Sequence, residues 1–171
     1  EPTGNANTPG DPYEPPAEEE PKEVSLKLMS WGIGRMNGDG TYPDQAARWA
    51  ELLKVIVAED ADIIQLHCVY DEAQSEVILA DLAATYPYSV YVQGTTNCSQ
   101  LLLSKYPITD TDYTQITTEP NEVRVAGHSI VNVDGTPVEI YYAHTNSADW
   151  ANEVAAMVNA FGLPTSDVWF V

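Results

Sequence analysis

Hydrophobic residues recur along this chain at two spacings, and the two kinds of segment alternate from residue 25 onward. Apolar runs bounded by turn residues predict strands at 25–33, 61–69, 88–93, 101–104, 125–133 and 137–144, and the start of one more at 167–171. Apolar residues three or four positions apart predict helices at 43–59 and 71–85, and a third helix that ends at Gly162. This succession predicts an α/β fold built on a mixed β-sheet with helices on one face.

Local signals support these elements. Asp134 and Gly135 form a dipeptide typical of a two-residue hairpin turn, so the strands on either side of them are expected to pair. The run at 61–69 is continuously apolar, as is typical of a strand that is buried on both faces. In the helix at 71–85, Val77, Ile78 and Leu82 are expected to face the core.

The first 24 residues differ in composition from the rest of the chain. They hold six prolines, seven acidic residues and a single lysine, with almost no large apolar side chain. Such a segment cannot bury enough surface to offset the entropy of ordering, so we expect a disordered acidic tether followed by one domain at 25–171. A leader of this kind indicates an exported protein, secreted or held at a surface, and a removed signal or lipid anchor upstream would fit it.

The net charge narrows the classes of partner. Asp and Glu number 26 against 7 Lys and Arg, which gives a formal charge of −19 at pH 7. A field of this sign repels phosphate backbones and anionic lipid headgroups, so nucleic acid is an unfavourable partner. No apolar run in the sequence reaches the roughly 18 residues that a membrane-spanning helix requires. Neither a nucleic-acid partner nor a membrane span is therefore expected.

Histidines and cysteines are the main candidates for chemistry. His67 and His144 end predicted strands, where the sites of α/β proteins gather, although a lone histidine is more often a structural residue. Cys68 and Cys98 have no zinc-binding spacing; they could form a disulfide that closes a loop of about 30 residues, or be two buried free thiols. No serine lies in a nucleophile elbow, and Gly32 and the glycines after it lack a phosphate-binding spacing.

Several motifs, taken in order, resemble a known family. They are LKLMSWGI, ADIIQLHCVYD, LLLSKYPI, a hairpin ending in YYAHT, and DVWFV, and they extend over residues 26–171. This order and spacing resemble the endonuclease/exonuclease/phosphatase superfamily, the metal-dependent phosphoesterases related to pancreatic-type deoxyribonuclease and bacterial sphingomyelinase. The resemblance implies the N-terminal half of a four-layer α/β/β/α sandwich, and so a domain that is incomplete at its C-terminus.

The resemblance also implies which positions would carry the chemistry. His144 matches the family's catalytic histidine. His67 stands where the family has the glutamate that is the main ligand of a divalent metal ion, and Gly32 stands where it has an asparagine. An imidazole is a poor replacement for a carboxylate in holding Mg²⁺, although it suits a softer metal. We therefore expect a degenerate active site, with a divalent metal ion as cofactor only if the protein is active.

Three hypotheses about function follow. The first is an exported, non-catalytic domain of this fold that acts in binding or assembly. The second is a metal-dependent phosphodiester or phosphomonoester hydrolase, with His67 and His144 around the metal and the rest of its site beyond residue 171. The third is a structural subunit that self-associates. A half-sandwich would leave one apolar sheet face open, so a protein partner or a second copy is expected to cover that face.

Overall fold

A computed structural model describes residues 23–34, 44–95, 98–117, 122–145 and 148–164. The elements in these residues are, in chain order, β1 (Leu28–Gly32), α1 (Gln45–Glu59), β2 (Ile63–Val69), α2 (Glu72–Leu82), β3 (Tyr88–Val92), β4 (Ser99–Ser104), β5 (Ile108–Gln115), β6 (Val125–Val133), β7 (Thr136–Ala143) and α3 (Trp150–Phe161). The predicted α/β class is confirmed. Most of the predicted tether and the predicted strand at 167–171 lie outside the described residues. None of the three described helices is long and apolar enough to cross a membrane.

The strands divide between two sheets. The first has the order β1-β2-β4-β3, in which β1 and β2 are parallel and the other neighbours are antiparallel. The second has the order β5-β6-β7 and is antiparallel throughout. The first sheet is thus the predicted mixed sheet. The pairing predicted across Asp134 and Gly135 is also observed, between β6 and β7.

Helices α1 and α2 cover one face of the first sheet. Side chains from both helices, β2 and β4 form one buried cluster, which includes Ile56, Ile64, Leu66, Ile78 and Leu103. Nε1 of Trp49 donates to Oδ2 of Asp81 at 2.6 Å and so links the two helices. Asp71 caps α2, because its side chain accepts a hydrogen bond from the backbone N–H of Gln74 at 2.9 Å. Tertiary burial therefore stabilises both helices, and the cap further stabilises α2.

The second sheet packs against the other face of the first. The inter-sheet core is made of buried side chains from both sheets, among them Ile63, Leu102, Val131, Val138 and Ile140. Val24 and Leu26, which precede β1, pack against the same core. This finding corrects the expectation of an open apolar face. The face of the first sheet opposite α1 and α2 is covered within the chain, so burying it requires no partner.

Helix α3 covers the outer face of the second sheet. The buried cluster between them consists of Ile116, Ala126, Tyr141 and Met157, with Phe161 packed at its edge. As predicted, the helix ends at Gly162, whose φ of 79° lies in a region that favours glycine. The layers therefore follow the α/β/β/α order that the resemblance implied.

Two details of the sequence interpretation need correction. Strand β5 was not predicted, because polar residues such as Asp110 and Asp112 occupy most of it and are exposed at the edge of the second sheet. Val77 was expected to face the core with Ile78, yet 57% of it is exposed. Adjacent residues of a helix point about 100° apart, so Val77 turns away from the sheet while Ile78 packs against it.

Candidate functional site

Polar side chains gather at one end of the inter-sheet core, where β1, β2 and β7 finish. Along β2, alternate side chains point toward the helices and toward the second sheet, and Gln65 and His67 belong to the second set. Gln100 of β4 lies directly opposite His67 in the ladder. His144 immediately follows β7, and its ring centroid is 4.9 Å from that of His67. The fold thus brings together the two histidines that the sequence singled out.

A chain of neutral hydrogen bonds connects the strands at this end. Oγ of Ser30 donates to Oε1 of Gln65 at 2.7 Å, and Nε2 of Gln65 donates to Oε1 of Gln100 at 2.5 Å. Nδ1 of His67 lies 3.3 Å from the same Gln65 oxygen. Both glutamines are buried, and Nε2 of Gln100 has no hydrogen-bond partner in the part of the chain that the structure describes. The network is therefore polar but uncharged.

Gly32 and His67 are coupled by a close approach. The two residues are partners in the β1–β2 register, and the imidazole of His67 lies over Gly32. A Cβ atom at position 32 would be 2.6 Å from Nε2 of His67, which is closer than a side chain can come. Burial lowers the pKa of His67, so the ring is neutral at pH 7. The identities of the residues at positions 32 and 67 therefore restrict each other sterically.

His144 contacts a thiol. Sγ of Cys68 lies 3.4 Å from Nδ1 of His144, and Cys68 occupies the β-bulge between His67 and Val69 with a φ of 60°. Burial, followed by the charges of Arg124 and His67, lowers the pKa of His144 to about 4. Burial also raises the pKa of the Cys68 thiol. At neutral pH the pair is a neutral imidazole and a thiol, so Cys68 is not an activated nucleophile.

Arg124 and Glu122 lie beside this pair, just before β6. They form an ion pair, and Nη1 of Arg124 also donates to the backbone oxygen of His144 at 3.1 Å. Sγ of Cys98 donates to Oε1 of Glu122 at 3.6 Å. The charges of Arg124 and Glu122 therefore compensate each other. Cys68 and Cys98 are free thiols in this structure, so the disulfide between them stays a prediction.

The side chains at this edge do not fit a magnesium-type site. Mg²⁺ prefers several oxygen ligands, carboxylates above all, whereas the groups here are imidazoles, neutral amides and thiols. The one carboxylate described beside them, that of Glu122, is paired with Arg124. Within the described ranges, no group of three or more His, Cys, Asp or Glu residues is placed to hold a metal ion. The roles assigned by resemblance, metal binding for His67 and catalysis for His144, stay predictions.

Sequence reasoning did not select Ser30, Gln65, Gln100 or Arg124 as site residues. Gln65 did carry a signal, since it interrupts the apolar run of β2, whereas Gln100 directly precedes the apolar run of β4. Their contact joins residues 35 positions apart and depends on the pairing of β2 with β4, which local patterns do not specify. The third histidine, His128, lies elsewhere, stacked on Tyr141 on the face of the second sheet that α3 covers.

Comparison with known proteins supports the fold. No protein-family model matches the sequence, and no curated protein matches it. Among solved structures, the chain is similar to sphingomyelinase C from Streptomyces griseocarneus, with 21% identity, a TM-score of 0.64, and coverage of 84% of this chain and 62% of that one. It is also similar to a β-hairpin deletion mutant of beta toxin from Staphylococcus aureus, with 17% identity, a TM-score of 0.65, and coverage of 86% and 65%.

A third similar structure is an endonuclease/exonuclease/phosphatase family protein from Leptotrichia buccalis C-1013-b. It shares 14% identity with this chain at a TM-score of 0.65, with coverage of 85% of this chain and 66% of that one. The chain therefore spans less than two thirds of the length of each of these three proteins. At such identities the likeness shows the fold. The predicted resemblance is confirmed at that level: this chain has the fold of the endonuclease/exonuclease/phosphatase proteins.

Proposed function

We propose that this domain is a non-catalytic version of the phosphoesterase fold that acts in binding or assembly. The observation that carries the proposal is the coupling of Gly32 and His67. The imidazole fills the space that a side chain at position 32 would need, and it does so where the resemblance implies an asparagine and a glutamate. The two residues replaced together are those with which the family supports and holds its metal ion.

The charges of the surrounding groups support the same proposal. Metal-assisted hydrolysis uses a divalent ion, held mainly by carboxylates, to stabilise charge on the attacking and leaving oxygens. Burial lowers the pKa of both His67 and His144, so both rings are neutral at pH 7, and the neighbouring glutamines carry no charge. Neutral hydrogen-bonding groups can hold a ligand without activating water for attack. Binding without turnover is the function that these residues support best.

The proposal also includes export of the protein from the cell. The acidic, proline-rich composition of residues 1–24 suits a solvated tether that keeps a folded domain at a distance from a surface. The net charge of −19 would keep that domain away from anionic surfaces. The domain would then be free to meet partners outside the cell.

The test is phosphoester hydrolysis and metal binding by the full-length protein. The wild type, His144→Ala and His128→Gln are compared with bis(p-nitrophenyl) phosphate and p-nitrophenyl phosphate in the presence of Mg²⁺, Mn²⁺ or Zn²⁺. His128→Gln is the matched control, because this histidine lies outside the site. We expect all three proteins to equal the buffer blank and calorimetry to detect no Mg²⁺ binding. Turnover by the wild type that His144→Ala abolishes and His128→Gln retains would overturn the proposal.

A paired substitution tests the role of the two replaced residues. Gly32→Asn combined with His67→Glu restores both side chains that the resemblance implies. If their loss is what prevents metal binding, the paired variant binds Mg²⁺ more tightly than the wild type. His67→Glu alone should show part of this gain, since it adds the carboxylate without the asparagine.

The alternative is a metal-dependent phosphoesterase, and one observation favours it. His144 lies beside His67 at the edge where the two sheets meet, and Arg124 holds the backbone of His144 in place. Its substrates would be phosphodiesters or phosphomonoesters. In the assay above, this alternative predicts hydrolysis that requires an added divalent metal and is lost in His144→Ala.

A further inference from the structure

The two cysteines lie on neighbouring strands at this same edge. The β2–β4 ladder pairs Val69 with Ser99, and Cys68 and Cys98 immediately precede these two residues. In a regular antiparallel ladder such diagonal neighbours are about 7–8 Å apart between Cα atoms and closer between Cβ atoms. The bulge at Cys68 shortens the diagonal, because it places two residues of β2 opposite one residue of β4. A disulfide requires a Cα separation of roughly 4.4–6.8 Å, which is shorter than the regular diagonal, so the bulge favours closure.

Both thiols point to the same side of the first sheet. Sγ of Cys68 contacts His144, which follows β7, and Sγ of Cys98 contacts Glu122, which precedes β6. Each thiol thus faces the second sheet. The causes of the pKa shifts also indicate that the two thiols are near each other. After burial, the charge of an ionised Cys98 is the next cause that raises the pKa of Cys68. The charge of Arg124 lowers the pKa of both thiols.

We propose that Cys68 and Cys98 form an oxidisable dithiol that closes to a disulfide across β2 and β4 without a change of strand register. The bulge makes this closure feasible. Cys68 has no partner residue in the ladder, so its Cα can move toward Cys98 without loss of a paired position. Its φ of 60° lies in the left-handed region, which residues other than glycine seldom adopt. A small shift of Cys68 therefore does not disrupt a favoured backbone conformation. This inference does not depend on the proposed function.

The chemistry is thiol–disulfide exchange with a small-molecule disulfide as the oxidant. Cys68 is partly exposed and Cys98 is 5% exposed, so Cys68 attacks first. It reacts slowly, through the small fraction that is ionised, because burial raises the pKa of its thiol. That attack breaks the S–S bond of the reagent, forms a mixed disulfide and releases one small thiol. The Cys98 thiolate then attacks the Cys68 sulfur and releases the second small thiol. Two protein thiols are oxidised by two electrons, and one reagent disulfide is reduced to two thiols that take up the two protons.

Closure would also change the site described above. A thiol at Cys68 can donate to His144, whereas a disulfide sulfur has no hydrogen to donate. The dithiol therefore couples the oxidation state of the chain to the hydrogen bonding of His144.

The experiment exposes the folded full-length protein to oxidised glutathione, blocks the remaining thiols with an alkylating reagent, and maps the peptides by mass spectrometry. A protease that cleaves after glutamate separates the two cysteines at Glu72 and Glu76. We expect a linked pair of peptides, lighter by two hydrogen atoms than the two thiol peptides together. We also expect the oxidised protein to unfold about 5 °C or more above the reduced protein, because the bridge restricts the unfolded chain.

Variants and an unfolded sample make the result decisive. Cys68→Ser and Cys98→Ser should give no linked peptide and no rise in Tm. The same protein oxidised in concentrated urea shows that the reagent is active. A folded wild type that keeps both thiols, or that accumulates only a glutathione adduct on Cys68, would overturn the proposal. A linked peptide accompanied by a lower Tm would overturn the claim that the bridge suits the native register.

Discussion

The space between the two sheets has two regions that are built from the same strands. In the middle, Ile63 of β2 and Leu102 of β4 pack against the apolar side chains of the second sheet. At the end, the inward positions of these strands hold His67 and Gln100. Leu102 and Gln100 are only two residues apart on one strand, and both are 0% exposed. Both positions lie on the regular stretch of the β2–β4 ladder, which ends at the bulge after His67, so the difference between them lies in their side chains.

Because of this difference, we expect the apolar region to contribute mainly to stability and the polar region mainly to function. Burial of apolar surface stabilises the fold in proportion to the area removed from water. A buried hydrogen bond exchanges one partner for another, so its net contribution is small, although leaving a group unpaired is expensive. The middle region should therefore carry most of the free energy of unfolding. The end region should be sensitive to the fit and charge of particular side chains.

Leu102→Ala provides the largest expected effect. Leu102 is fully buried between the sheets, and removing three carbon atoms there leaves a cavity that the packed strands cannot fill. We expect a loss of about 3 kcal/mol in the free energy of unfolding, measured by urea denaturation. The matched control is Val55→Ala at a site that is 41% exposed, where the change should be below about 0.5 kcal/mol. Equal losses at the two positions would contradict the comparison.

The apolar region was also the part that the sequence predicted best. Continuous runs such as that of β2 predict a buried strand without knowledge of its neighbours. Strand β5 escaped prediction because it is an exposed edge strand, and its residues Asp110 and Asp112 are typical of loops as well as of protected edges. The division of the strands between two sheets was not predicted for a related reason. Pairing between strands that are distant in sequence depends on tertiary packing.

The candidate site was predictable only in part. His67 and His144 were found because they end predicted strands. In the resemblance, His144 matches the family's histidine, whereas His67 stands where a glutamate is implied. The contact between Gln65 and Gln100 joins two strands whose pairing no local signal gives. The coupling of Gly32 to His67 depends on one side chain's lying over the neighbouring strand. Sequence patterns specify which residues point inward, and the register of the strands decides which of them meet.

Gly32→Asn should have the next largest effect. A side chain at position 32 would lie 2.6 Å from Nε2 of His67, so the ring must leave its place or the strands must separate. Overpacking of this kind costs about 2 kcal/mol, which urea denaturation of the variant would measure. A loss well below about 1 kcal/mol would mean that the imidazole moves aside easily.

A double-mutant cycle sharpens this result. His67→Ala removes the ring that the new side chain would meet, so Gly32→Asn should be much less destabilising in that background. The coupling free energy between the two substitutions is expected to be about 1 kcal/mol or more. If the effects of the two substitutions on the unfolding free energy were additive, something other than His67 would restrict position 32. The steric link between Gly32 and His67 would then be disproved.

The smallest expected effect is the pH dependence that His144 confers. Its pKa is about 4 in the folded protein and near 6.5 when it is free of its surroundings. Between these values the unfolded chain binds a proton that the folded chain does not, so stability falls as the pH decreases from about 6.5 to 4. Because the ring is partly exposed, solvent screening limits this contribution to about 1 kcal/mol. Above pH 6.5 both states are neutral at this residue and the contribution is fully present.

His144→Gln isolates this contribution from the titration of the many carboxylates. Subtracting the unfolding free energy of the variant from that of the wild type cancels the groups that the two proteins share. The difference should decline between pH 6.5 and 4 and be flat above pH 6.5. Burial also lowers the pKa of His67, so the residual slope of the variant should decrease again in His67→Gln combined with His144→Gln. If the difference in unfolding free energy were constant over this range, the polar region would be open to water. The polar and apolar regions would then differ in hydration and not in buried hydrogen bonding.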